Sequence, residues 1–392
     1  MPSEAGRARV LFVNGGILGL ISFYDFLEEW LTKQTALEAE HVLLSEGLTV
    51  PERIVRRLMC QRVWRDGWLG LANVDLARLR AELHTGLLAR WRMPPRDLRR
   101  FDVIHFHRQA TAYGSLDVMR EVPSVVSIDC TQSCVLQYAS SRLERKTYVP
   151  NVWIDGVVFN RAAHVIATSN WAAGSMRTMY PRCQTPVDVL PSPVQLHWFD
   201  PSWADERSAR ARAGAKPRVL FMGGDFPRKG GYDLLNVWRA GGFHERADLD
   251  LVTGWPIEAT LPPGVRQVRG IVAHSPEWAA TWQSADIFVM PTRNEAFGLV
   301  FQEAAAAGLP AIGPQLNAVP EIIRDGETGV LIPPGDIDAL GRSLASLIGS
   351  SDLREKLGRQ ARRLIERVAA PDTYMARMIG IIEQARMRRS QS

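Results

Sequence analysis

The 392-residue chain is poor in cysteine: it has 4, and no two form a CxxC pair. That excludes a disulfide framework and a zinc ribbon. Cys130 and Cys134 stand one helical turn apart, but two ligands do not make a metal site. Lysine is nearly missing, with 5 Lys against 42 Arg. Neither sign of charge dominates, since 47 basic and 42 acidic residues leave +5. A balance so small for this length gives no reason to expect a nucleic-acid partner. No apolar run reaches the ~18 residues that a membrane span needs. The opening MPSEAGRARV lacks the long apolar region and the cleavage site of a secretory signal. These absences lead to the expectation of a soluble, cytoplasmic protein in a reducing compartment.

What is present is an ordinary core: 46% apolar and 23% charged residues, in a length that suits two domains. Short apolar runs alternate with amphipathic stretches, the pattern of a parallel sheet covered by helices. In the first half the runs are Val10–Asn14, His41–Ser45, Asp102–His107, Ser124–Asp129, His164–Ser169 and Val187–Pro191. The segment from Asp200 to Pro217 is polar and reads as a surface linker or an exposed helix. The alternation then restarts, and RVLFMG at Arg218–Gly223 echoes RVLFVN at Arg9–Asn14. The fold class expected is therefore α/β, with one Rossmann-like domain over 1–199 and another over 200–370. A last helix, about Pro371 to Arg389, follows the second domain, and residues 371–392 are open to packing on either domain, a return to the first among the alternatives. Ligands of such sheets bind at the carboxyl ends of the strands, here in a cleft between the domains.

Three strand ends carry chemistry. After the first strand, Gly15 and Gly16, with Gly19 beyond, allow a sharp turn and the approach of backbone amides to an anion. The same glycines serve a purely structural turn. After Arg218–Gly223 comes GGDFPRKGG, Gly223 to Gly231, which sets Arg228 and Lys229 in a glycine-rich loop suited to a diphosphate. It is not a Walker loop, because no Ser or Thr follows Lys229 to hold magnesium. After Ala285–Met290, a loop containing Glu295 leads into a helix at Leu299–Ala307 that carries Glu303. The free amides of Phe297 to Val300 suit a phosphate, and Glu303 suits a ribose diol.

Glu295-x7-Glu303 within NEAFGLVFQEAAAAGLPAIG, the GGDFPRKGG loop and AVPEIIRDGETGVLIPPGD at Ala318–Asp336 together resemble the C-terminal domain of retaining glycosyltransferases of family 4. The likeness is strongest over residues 218–345, and looser in RVLFVNGG, DVIHFH, HVIATSNWAAGSM and VDVLPSPV of the first half. The resemblance implies the GT-B fold, two Rossmann-like domains facing each other across a cleft. It implies a nucleoside-diphosphate sugar as donor substrate, with no cofactor and no metal. Lys229, helped by Arg228, would bind the donor pyrophosphate, and Glu303 the ribose. Glu295 would contact the transferred sugar. Backbone at Phe297, Gly298 and Leu299 would hold the distal phosphate. Ile271 and Val272, after Gly270, would border the nucleobase. Gly15, Gly16, Gly224 and Asp225 complete the expected donor surface.

Two positions depart from the family pattern. Gly224 stands where the family often has a second cation, and Asp129 stands where it commonly has His. Asp129 is expected either to act as a base toward the acceptor hydroxyl or to steady positive charge on the sugar. As an alternative it caps the next helix. His105 and His107 are assigned to opposite faces of their strand, with His107 lining the acceptor side. The triplets Asp248-Leu-Asp250 and Asp336-Ile-Asp338 are read as structural.

The activity implied is retaining transfer of a hexose to a glycan, lipid-linked or small-molecule acceptor. One rival is a dinucleotide-dependent oxidoreductase built on Gly15-Gly16-x-x-Gly19, with Glu46 on the adenosine ribose. The other is a non-catalytic sugar-nucleotide-binding protein. Residues 51–100 hold 12 Arg against 5 acidic residues, with Trp64, Trp68 and Trp91. Ile54, Val55, Leu58, Met59 and Val63 form an apolar stripe there. Such a stripe ordinarily belongs to the core, and the alternative is a peripheral contact with the inner face of a membrane.

Overall fold

The computed structural model describes residues 6–16, 19–61, 76–139, 141–258 and 260–389. Trp64, Trp68 and Val63 lie outside them. The chain divides into two compact units, Met1–Pro191 with Met375–Ser392, and Ser192–Tyr374.

The first unit is built on six parallel strands: β1 (Ala8–Asn14), β2 (Leu37–Leu43), β3 (Val103–His107), β4 (Ser124–Ile128), β5 (His164–Ala167) and β6 (Val187–Val189). Their order is β2-β1-β3-β4-β5-β6. β3, β4 and β5 are buried along their whole length. They are rich in Val and Ile and bury their few His and Ser residues too, because helices cover both faces of a parallel sheet. Leu11, Val13, Ile104, Phe106, Val126 and Phe159 form the centre of this core. The order reverses between β1 and β3, and the register places Asn14 beside His107 and His107 beside Ser127. Three strands therefore end level with one another at the switch point, where open α/β sheets bind ligands.

The second unit repeats the plan with β7 (Arg218–Met222), β8 (Asp248–Val252), β9 (Val265–Val268), β10 (Ile287–Val289), β11 (Ala311–Pro314) and β12 (Gly329–Ile332). Its order is β12-β11-β10-β7-β8-β9, with the reversal between β10 and β7. Phe221, Leu249, Leu251, Phe288, Trp238 and Trp282 are fully buried around it. The polar segment after Asp200 is largely a helix, Trp203–Arg212, that buries Trp203 and Arg207. Ser208 donates to Glu355, and Asp205 accepts from Arg359, so this segment is packed against Ser351–Val368. From Met375 onward the last helix clusters with the first unit, where Arg386 donates to the Gly6 carbonyl at 3.3 Å.

Candidate active site

In the second unit, the loops after β7 and β10 leave the sheet at its switch point, and these are the two loops on which the donor residues were expected. They are laced together through backbone. Gly230 has φ +79°, and a Cβ there would lie 2.2 Å from the Pro291 carbonyl oxygen, so only glycine permits this contact. The Arg293 amide donates to the Arg228 carbonyl at 2.9 Å. Arg228 gives Nε to Asp225 at 2.9 Å and Nη1 to the Asn294 carbonyl at 2.5 Å. Arg228 and Asp225 thus fix the shape of the loop, and Nη2 of Arg228 is its one nitrogen without a partner among the described residues.

Lys229 Nζ and the Glu295 carboxylate form an ion pair, with both side chains only 15% exposed. Glu295 is anchored from behind, since its carbonyl accepts from Asn317 Nδ2 at 2.8 Å. Gly298, at φ +90°, turns the chain into the helix Leu299–Ala306 with no side chain capping the first turn. The first amides of that helix are therefore available to an anion. Phe297 is buried beneath the turn, and Leu299 is half-buried. On the same helix Glu303 has no hydrogen-bond or ionic partner among the described residues, and burial pushes its carboxyl up to about 7. A half-buried carboxylate without a partner is costly to the fold, and a ligand's hydroxyls would offset that cost. Gly224 faces open space, with nothing within 4 Å of a built Cβ. After β9, Gly270 takes φ +77°, Ile271 is half-buried and Val272 is 68% exposed.

The switch point of the first unit holds the other expected residues. Gly16, at φ +67°, must be glycine, because a Cβ would strike the Ser45 side chain at 1.9 Å. Gly15 lies against Thr111. The assignment of His105 and His107 to opposite faces is corrected: their rings are 5.8 Å apart on one face, because residues two apart on a strand share a face. His105 Nε2 pairs with Ser127 Oγ at 2.7 Å, and burial lowers its pKa to about 3. His107 packs edge-on against Phe23, and burial also drives it well below the ordinary range. Both rings are neutral near pH 7.

Asp129 follows β4, half-buried. It does not cap the next helix; Thr131 holds that position, without a side-chain bond. Among the described residues no hydrogen bond reaches the Asp129 carboxylate. Its field instead acts on Arg108, the residue that follows β3. Sequence reasoning passed over Arg108. The signal that could have found it is a charged residue placed directly after an apolar strand at a switch point.

Neither aspartate triplet faces a site. Asp250 is buried and held by Arg266 at 2.6 and 2.9 Å, while Asp336 caps its helix through the Ala339 amide at 2.8 Å. No group of three His, Cys, Asp or Glu among the described residues is placed to hold a metal. A cavity of about 190 Å³ in the second unit, lined by Arg207, Asp286, Gly308, Arg354 and Glu355, shares no residue with the donor loops.

Residues 271–364 match the family of glycosyl transferases group 1. The D-inositol 3-phosphate glycosyltransferase of Streptomyces avermitilis is 30% identical over 354 residues, covering 82% of this chain and 74% of that protein. The chain belongs to retaining glycosyltransferase family 4. It is a sugar-transferring enzyme, and nothing in these comparisons supports the oxidoreductase alternative. The likeness in fold extends over the whole glycosyltransferase. Sucrose-phosphate synthase from Thermosynechococcus elongatus has a TM-score of 0.68 at 17% identity, covering 96% of this chain and 99% of that one. HepE of Anabaena, solved with UDP and glucose, has a TM-score of 0.63 at 16% identity, covering 96% of this chain and all of that one. The two six-stranded parallel sheets are those of the GT-B fold.

Proposed function

We propose that this glycosyltransferase takes a hexose from a nucleoside-diphosphate sugar and passes it, with retention of configuration, to a hydroxyl of its acceptor. The observation that carries this reading is the Lys229–Glu295 ion pair at the switch point of the second sheet, with the Glu303 carboxylate, unpartnered among the described residues, on the helix that follows the Glu295 loop. A donor diphosphate entering here would draw Lys229 off Glu295. The cation would then face the departing phosphate, and the freed carboxylate would meet the hydroxyls of the sugar. Positive charge from Lys229, from the remaining donor of Arg228 and from the helix amides would stabilise the leaving group in place of a metal. Glu303 would take the ribose diol, and Ile271 and Val272 would border the base. Asp129 would accept the proton of the attacking hydroxyl or steady the charge on the sugar. UDP in a structure of the same fold makes UDP-sugars the first donors to try. Proton NMR of the product formed in EDTA from an α-linked UDP-hexose tests the reading: an α-linked product is expected, and a β-linked one or a strict metal requirement would overturn it.

A peripheral membrane contact is part of this reading. Ile54 is 55% and Leu58 68% exposed on the helix Val50–Cys60, on which Arg53, Arg56 and Arg57 are also exposed. The capping box of Thr49 and Glu52 starts this helix, and Arg92 holds Glu52 at 2.9 Å, so the helix is anchored while its apolar residues face out. An apolar strip flanked by arginines suits an anionic lipid surface. Among the described residues no helix is long and apolar enough to cross a membrane.

A further inference from the structure

We infer that Arg108 is an acceptor-binding residue of this enzyme, held in place by Glu82, and that with Asp129 it grips an uncharged hydroxyl. The inference rests on the glycosyltransferase reading above, and concerns the unit that does not carry the donor loops. Arg108 stands where β3 leaves the switch point of the first sheet, with φ +81° and ψ 139°. An arginine rarely adopts that conformation, and such strain gathers at ligand sites. The surroundings impose it. The Arg108 amide donates to the Ser127 carbonyl at 3.0 Å, and its own carbonyl accepts from Thr111 Oγ1 at 2.8 Å.

The side chain is equally constrained. Nη2 donates at 2.7 Å to Oε1 of Glu82, which is itself 7% exposed, and Gln132 Nε2 donates to the same oxygen at 3.1 Å. Arg78 Nε closes the set by donating to Gln132 Oε1 at 2.7 Å. Asp155, wholly buried, fastens the loops after β3 and β4 together, accepting from the Gln132 amide at 2.8 Å and Gln109 Nε2 at 3.3 Å. One edge of the Arg108 fork is therefore spent on Glu82. Nε and Nη1 have no partner among the described residues, and neither has the nearby carboxylate of Asp129.

A guanidinium N–H without a partner beside a carboxylate without one is complementary to a hydroxyl, which accepts from the guanidinium and donates to the carboxylate. A phosphate fits less well, because the carboxylates of Glu82 and Asp129 match the charges of Arg108 and of Arg78, which lies 3.9 Å from Glu82, and leave no net positive charge for an anion. His105 and His107, neutral and buried behind the strand, add no charge to this pocket.

The test uses the full chain with D-glucose, D-mannose, D-galactose, myo-inositol and glycerol as probes. Binding is read by saturation-transfer NMR without donor, and acceptor kinetics by release of nucleoside diphosphate. At least one polyol should bind wild type. Arg108→Gln should raise its KM about tenfold or more, the loss of one charge-assisted hydrogen bond, with donor KM unchanged. Arg108→Lys should restore only part of the affinity, because it lacks the planar fork. Glu82→Gln should raise acceptor KM with less effect on kcat, as expected of a positioning residue. The inference is overturned if folded Arg108→Gln binds the polyol as wild type does, or if wild type binds none of the probes. A protein that binds no nucleoside diphosphate would count against the donor site instead, and the NMR arm would still decide Arg108.

Discussion

Glu303→Gln is the substitution whose effects on stability and on binding should have opposite signs. The carboxyl, lifted by burial to about 7 from its ordinary 4.5, is easier to bury protonated than charged. Its folded-state pKa lies above the unfolded one, so this contribution to stability is fully present below about pH 4.5 and is lost as pH rises to about 7. A rise of that size corresponds to a ceiling of about 3 kcal/mol. The side chain is ringed by protein but not sealed from water, so solvent screening reduces the effect to about 1–2 kcal/mol. Gln keeps the shape without the charge. At pH 8 it should raise the melting midpoint by roughly 3–6 °C for a unit the size of Ser192–Tyr374, with no gain at pH 4.5. The same change removes a carboxylate that could accept both hydroxyls of a ribose, so nucleoside diphosphate should stabilise the variant less than wild type. Differential scanning fluorimetry across pH, with and without UDP, reads both effects. A variant destabilised at pH 8, or stabilised equally at both pH values, would refute the assignment of an unpaired buried carboxylate.

Lys229→Ala should lower kcat by about 10²–10³, measured by diphosphate release, because it removes the cation opposite the leaving group. It should also cost some stability by leaving Glu295 half-buried and unpaired, visible as a lower midpoint by calorimetry. Gly224→Arg places a second cation where a built Cβ meets nothing within 4 Å; it should tighten nucleoside diphosphate several-fold by isothermal titration, and weaker binding would count against an open donor surface there. Ile54→Ser with Leu58→Ser should abolish flotation with vesicles containing anionic lipid while leaving turnover of a water-soluble acceptor unchanged.

The sheets were readable because most strands are short runs rich in apolar residues between polar turns, and boundaries moved by only a residue or two in most of them. β2 shifted further, to Leu37–Leu43 from the expected His41–Ser45, because its alternating Glu and apolar residues blur into the turn before it. The polar stretch after Asp200 stood between a linker and an exposed helix, and it is a helix whose only buried members are Trp203 and Arg207. The motifs of the loops after β7 and β10 were legible as a family resemblance, because their glycines, cations and carboxylates are consecutive in sequence, and the fold brings the two segments together. The cluster around Arg108 was not. Arg108, Glu82, Gln132 and Asp155 come from four separate segments, and no local pattern records that they meet. The His pair was misjudged through the strand period, and the stripe at Ile54 and Leu58, read as core with a surface contact as the alternative, lies on the surface.

The central claim is that the switch point of the second sheet binds a nucleoside diphosphate through Lys229 and Glu303. The most direct measurement is the thermal midpoint of wild type and Lys229→Ala with saturating UDP, GDP, ADP or NAD. A ligand at about 100 times its Kd adds about 2.7 kcal/mol, several degrees for a protein of this size. One nucleoside diphosphate should raise the midpoint of wild type, and the rise should be largely lost in Lys229→Ala. A rise with NAD alone, or an equal rise in both proteins, would contradict the account.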